Sequence, residues 1–82
     1  MKQKRQKYTD IILSEMMIDR IKELRNLHHH SQELVIEKTG VDVSHIENGR
    51  DIPTVISISR LCRFYGITLD EFFAPMNYPP KE

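Results

Sequence analysis

The stretch GVDVSHIENGRDIPT, Gly40 to Thr54, decides how this 82-residue chain is read. Gly40 has no Cβ and suits the left-handed residue that ends a helix. Asp42 can then cap a new helix, with Val43 and Ile46 turned inward and Ser44, His45 and Glu47 outward. Asn48 and Gly49 end it, so the segment leaves room for barely two helical turns. Thr54, just after Pro53, opens the next helix.

Outward from this segment the pattern is helical nearly throughout. Thr9 or Asp10 can cap a first helix, in which Ile12, Met16, Ile21, Leu24 and Leu27 recur at helical spacings. His28, His29 and His30 are adjacent and so point in different directions, whereas chelation needs convergent ligands; they read as a connector, not a metal site. Ser31 can cap a second helix, QELVIEKT, that stops at Gly40. The fourth helix carries Val55, Ile58, Leu61, Cys62 and Tyr65 at core spacing and closes at Gly66. Thr68 with Glu71 three residues on forms a capping box for a fifth, short helix, whose Leu69, Phe72 and Phe73 give it an apolar face. Residues 74–82, APMNYPPKE, hold three prolines and are expected to run as an extended tail.

The expected architecture is therefore all-α, with five helices in one small domain. A chain of this size buries only about 60–65% of the surface that its unfolded form exposes. The single cysteine, Cys62, rules out an internal disulfide and any CxxC zinc site, which points to a reducing, intracellular setting. The N-terminus MKQKRQKY is not followed by a clean apolar run, and no stretch approaches membrane-spanning length, so the expectation is a soluble, cytoplasmic protein without a membrane partner. Ser, His and Asp are all present, yet no spacing fixes a nucleophile beside a base, and so short a chain leaves little to enclose a substrate; neither an enzyme nor a cofactor is expected.

Net charge is zero, from twelve basic and twelve acidic side chains, and gives no overall footprint for nucleic acid. The distribution is uneven. Residues 1–30 hold seven Lys/Arg against four Asp/Glu, whereas residues 31–53 hold two against five. Lys2, Lys4, Arg5 and Lys7 form a basic arm, residues 1–8, with the charge to reach phosphates.

Over roughly residues 20–73 the chain resembles the Cro/CI-type, lambda-repressor-like helix-turn-helix family. The matching pieces are RIKELR on the first helix, SQE opening the second, EKTGV at the turn, IENGR after the third, and PT followed twelve residues later by GITLDEFF. They occur in the family's order and near its spacing. The resemblance implies the five-helix fold over residues 9–73, double-stranded DNA as partner, and the role of a sequence-specific transcriptional regulator, expected to be a repressor that competes for promoter sites. There are three departures. Between Gly40 and IENG the sequence is about three residues, close to one helical turn, shorter than the family pattern. The lost turn is the first of the recognition helix, from which members usually offer base edges. His30 stands where the family tends to have an apolar residue, and Ile36 is bulkier than the small residue usual where the second and third helices cross; that bulk can fill the space of the missing turn.

The residues expected to touch DNA follow from the resemblance. Gln32, at the start of the second helix, would grip a phosphate through its amide and the free backbone N–H groups. Ser44 and His45 would face the groove from the third helix. Asn48 and Arg50, in the loop that leaves it, are candidates for the opposite phosphate wall, unless Asn48 instead takes the left-handed turn conformation. Lys38 is a further phosphate candidate. Asp42, a carboxylate that repels phosphates, reads as a cap.

Residues 9–19 carry Ile11, Ile12, Leu13, Met16, Met17 and Ile18, more apolar side chains than one helix face can bury, which points to a homodimer through this segment. The terminal segment with Phe72–Phe73 and Met76–Tyr78 is the rival surface. A different reading of the same fold is a protein-interaction module that has lost specific DNA binding; the acidic 31–53 segment and the missing turn favour it.

Overall fold

The computed structural model describes residues 10–81; the basic arm and Thr9 lie outside the described residues. Among those residues the fold is all-helical, with α1 at Ile11–Leu27, α2 at Gln32–Thr39, α3 at Val43–Glu47, α4 at Val55–Tyr65 and α5 at Leu69–Phe73. A single 3-10 turn, Ala74–Met76, follows α5.

Local chemistry sets the start of every α-helix. Asp10, Ser31, Asp42, Thr54 and Thr68 each cap the helix that follows, accepting a backbone N–H three residues on. The Thr68–Glu71 capping box is reciprocal, since the Glu71 carboxylate accepts from the Thr68 N–H at 2.8 Å. Gly40 ends α2 at φ 77°. Past α3 the left-handed residue is Gly49, at φ 86°, while Asn48 stays at φ −92° and uses its Oδ1 to accept from the Arg50 N–H. The alternative that Asn48 itself turns left-handed is thus corrected: Gly49 takes that conformation without a Cβ clash.

Packing selects the inward residues. Met17, Ile21 and Leu24 of α1 meet Val35, Val41, Val43, Ile46, Ile58, Leu61, Cys62 and Phe72 in one core. Ile12 and Leu27, expected to share the inward line of α1, are exposed. Ile12 stands five residues from Met17, about 140° around the helix, and Leu27 lies in the last turn, off the line that Leu24 continues. Val55, also expected inward, has a core angle but sits in the first turn of α4, where it lines a surface groove. Ile36 is half-buried and packs against the core. His30 does likewise through its ring, 5.4 Å from that of Phe64, with its Nδ1 3.4 Å from the Tyr65 hydroxyl.

The C-terminal segment departs from the extended tail expected of it. Ala74–Met76 winds into the 3-10 turn, and Met76 joins the core. Pro75 sits at a position whose missing N–H costs nothing in so short a turn. Arg20 of α1 clamps the end of α5, donating from Nε to the Phe72 carbonyl at 2.7 Å and from Nη2 to that of Glu71 at 3.0 Å. Farther on, the Tyr78 hydroxyl donates to the carboxylate of Asp10, the cap of α1.

Candidate nucleic-acid interface

With five residues, α3 is far below the length at which a helix persists alone. Its two apolar side chains, Val43 and Ile46, are buried beneath it. Its third anchor is ionic. Glu47, expected outward, turns inward with only 4% of its side chain exposed. Arg25 of α1 grips it in a two-pronged pair, Nε to Oε2 and Nη2 to Oε1, both at 2.8 Å. Arg25 also donates to the His30 carbonyl, fastening the connector before α2.

Burial by itself would push the Glu47 carboxyl up; the hydrogen bonds from Arg25 and Gln32, with the Arg25 charge, outweigh it and hold the group below the usual carboxylate range. The partner responds in kind, for the Glu47 hydrogen bond raises the Arg25 guanidinium. One carboxylate therefore joins the end of α3 to α1 and to the start of α2.

Gln32 is the link to α2. Its Nε2 donates to Glu47 Oε1 at 2.9 Å, so the amide expected to hold a phosphate is engaged inside the protein. Helix geometry still leaves the first N–H groups of α2 without intrahelical partners. Ser31 Oγ takes that of Leu34.

On its outward side α3 carries a tight polar cluster. The Ser44 hydroxyl donates to the Asp42 carboxylate, and His45 Nδ1 lies 3.2 Å from Asp42 and 3.7 Å from Asp51. The Ser44 hydrogen bond and the His45 backbone N–H hold the Asp42 carboxyl below its ordinary value. Both side chains expected to read bases thus stand among two carboxylates. Arg50 is exposed in the loop behind them.

Lys38 belongs to other surroundings. It shares a groove with Arg60 and Arg63 of α4 and with Val55, Ile56 and Leu69. The two arginines escaped the reading of the sequence. Their signal was present, since Ile58, Leu61 and Cys62 face inward and so leave residues 60 and 63 on the outer side.

Among the described residues, no three His, Cys, Asp or Glu side chains are placed to share a metal ion. No helix of those residues is long and apolar enough to cross a membrane.

A short capped helix joined through Gly40 to the helix before it, and anchored on a longer first helix, is the arrangement of a helix-turn-helix. The family model described as helix-turn-helix matches residues 21–72, from the middle of α1 to Phe72. The chain belongs to this family of DNA-binding domains. Comparison with curated proteins and with solved structures finds no match.

Proposed function

We propose that the chain is a sequence-specific transcriptional regulator, a repressor competing for promoter sites, that acts as a homodimer on half-sites about one duplex turn, roughly 34 Å, apart. The observation that carries this reading is the anchoring of α3, which Val43, Ile46 and the Glu47 pair hold from beneath. Ser44 and His45 then project from a fixed support. In this reading they meet base edges. The N–H groups that start α2 hold one phosphate, with Gln32 contributing through its backbone because its amide is engaged, and Asn48 and Arg50 flank the other strand. Lys38 and the basic arm of residues 1–8 add sequence-independent attraction.

The test is selection of bound duplexes from a random pool, followed by affinity for the winner and for a scrambled duplex at two salt concentrations. A recurring two-fold motif whose affinity falls steeply with salt is expected. Ser44→Ala and His45→Ala should each relax the motif at one position, at a cost on the order of 1 kcal/mol. Equal, weak binding to both duplexes would sink the reading. It would favour a protein-interaction module on the same fold, for which the specific support is the pair of carboxylates, Asp42 and Asp51, beside His45.

A further inference from the structure

Among the described residues, three exposed apolar side chains stand close together in the chain outside both of the surfaces expected from the sequence. On α1, Leu13, Met16 and Ile18 pack against the core and Met17 is within it, which leaves Ile11 and Ile12. In the C-terminal region, Phe72 and Met76 are likewise consumed by the core. The start of α4, by contrast, presents Ile52, Val55 and Ile56, 61, 63 and 74% exposed, within five residues of one another.

Charge is arranged around these three in a particular way. Val55 and Ile56 line the groove that holds Lys38, Arg60 and Arg63, and no carboxylate lines it among the described residues. Ile52 lines a neighbouring groove with Asp42 and Asp51. Arg60 lines both, so the two grooves adjoin at this side chain. Asp42 and Asp51 line only the groove with Ile52, and Lys38 and Arg63 only the groove with Val55 and Ile56, so the apolar side chains have carboxylates toward one end of the surface and cations toward the other.

A two-fold axis lays a surface on its own reversed image. Reversal of this band sets apolar against apolar and acid against base. The outer face of α1 fails the same operation, since Ile12, Glu15, Asp19 and Glu23 follow one another at helical spacing and would meet their own charge. We propose that two copies of the chain associate through the α4 band, Ile52, Val55 and Ile56 of one against those of the other, with Asp51 of each copy facing Arg63 of its partner. Arg63 is the cation chosen because the guanidinium of Arg60 already lies over Gly40 of its own chain. This rests on the dimer reading above and gives it a surface.

The experiment measures the mass of the full chain in solution against concentration, for the wild type, Asp51→Arg, Arg63→Asp, the two combined in one chain, and Ile56→Glu. Helical circular dichroism confirms that each variant folds. The wild type should dimerise. Each single reversal should weaken the dimer roughly tenfold or more, because like charges then meet twice across the axis. An equimolar mixture of the two singles should recover it as a heterodimer, and the doubly reversed chain as a homodimer. Recovery is the decisive result, since damage to one chain's own packing cannot be repaired by a second chain. A wild type that stays monomeric overturns the dimer reading and this surface with it. A dimer indifferent to all the variants keeps the dimer and overturns the surface. Weakening without recovery in the mixture overturns the Asp51–Arg63 pairing.

Discussion

The five-residue helix α3 is bounded by two carboxylates with opposite fates. Asp42, which starts it, keeps 45% of its side chain exposed; Glu47, its last residue, keeps 4%. Both are held below the usual carboxylate range, but by different means. Asp42 is held by its neighbours in sequence, Ser44 and His45, and Glu47 by side chains 22 and 15 residues away, from Arg25 and Gln32. The first is a local cap that any helix start can make. The second is a tertiary bond, without which so short a helix has only Val43 and Ile46 to hold it.

The largest effect follows from breaking the buried member. Glu47→Ala leaves Arg25 and the Gln32 amide without their acceptor in a nearly dry site, and should cost about 3 kcal/mol in urea unfolding. Replacing both partners, Arg25→Met with Glu47→Leu, should restore most of that stability, since removal of both charges also removes their desolvation. The restored protein should nonetheless bind duplex DNA less well than the wild type, because Gln32 and the end of α3 are then no longer fastened together. A double variant as unstable as Glu47→Ala would mean that the pair's geometry, not its uncompensated charge, sets the cost.

Acid should distinguish the two carboxylates next. Glu47 titrates in the fold below its ordinary value of 4.5, so on acidification the unfolded chain takes up this proton first. Its stabilisation is complete above the unfolded value and is lost as pH falls through the lower, folded one. Urea midpoints measured from pH 6 down to pH 3 should therefore fall below about pH 5. In Glu47→Gln, already less stable, that acid limb should be shallower. Asp42 has the same sign, but its exposed setting makes its share the smaller, so Asp42→Asn should leave the limb nearly as steep as in the wild type.

The smallest effect falls on the exposed member. Asp42→Asn keeps an oxygen for the His45 N–H and removes a negative charge from the outward side of α3. It should fold as the wild type does and bind DNA a few-fold more tightly at low salt, with the gain shrinking as salt screens it. Unchanged affinity would place Asp42 away from the phosphates and favour the protein-interaction reading.

The same contrast runs through what could be read from the residues in order. Caps at Ser31, Asp42, Thr54 and Thr68, the first cap as one of Thr9 and Asp10, and the glycine stops at Gly40 and Gly66 were legible because each is a bond or a dihedral preference within three residues. The inward pair Val43 and Ile46 followed from helical periodicity, and the order of the motifs pointed to the family that the match over residues 21–72 shows. Glu47 misled because a glutamate near a helix end is ordinarily solvated; its partner lies in another helix. Gln32 was placed correctly at the start of α2, but not the partner that occupies its amide. The three prolines of residues 74–82 predict an extended tail, whereas Ala74–Met76 winds into a turn because Met76 finds a place in the core.

The number of α-helices, their capped starts and the glycine stops at Gly40 and Gly66 were therefore already written in the chain, for they depend on bonds between near neighbours. Which carboxylate is dry, which valine is exposed and which band of α4 is left uncovered depend on what other helices bring across. Side chains such as Arg25 and Glu47 reveal their use only once folding sets them 2.8 Å apart, where the loss of water makes each the other's necessary partner.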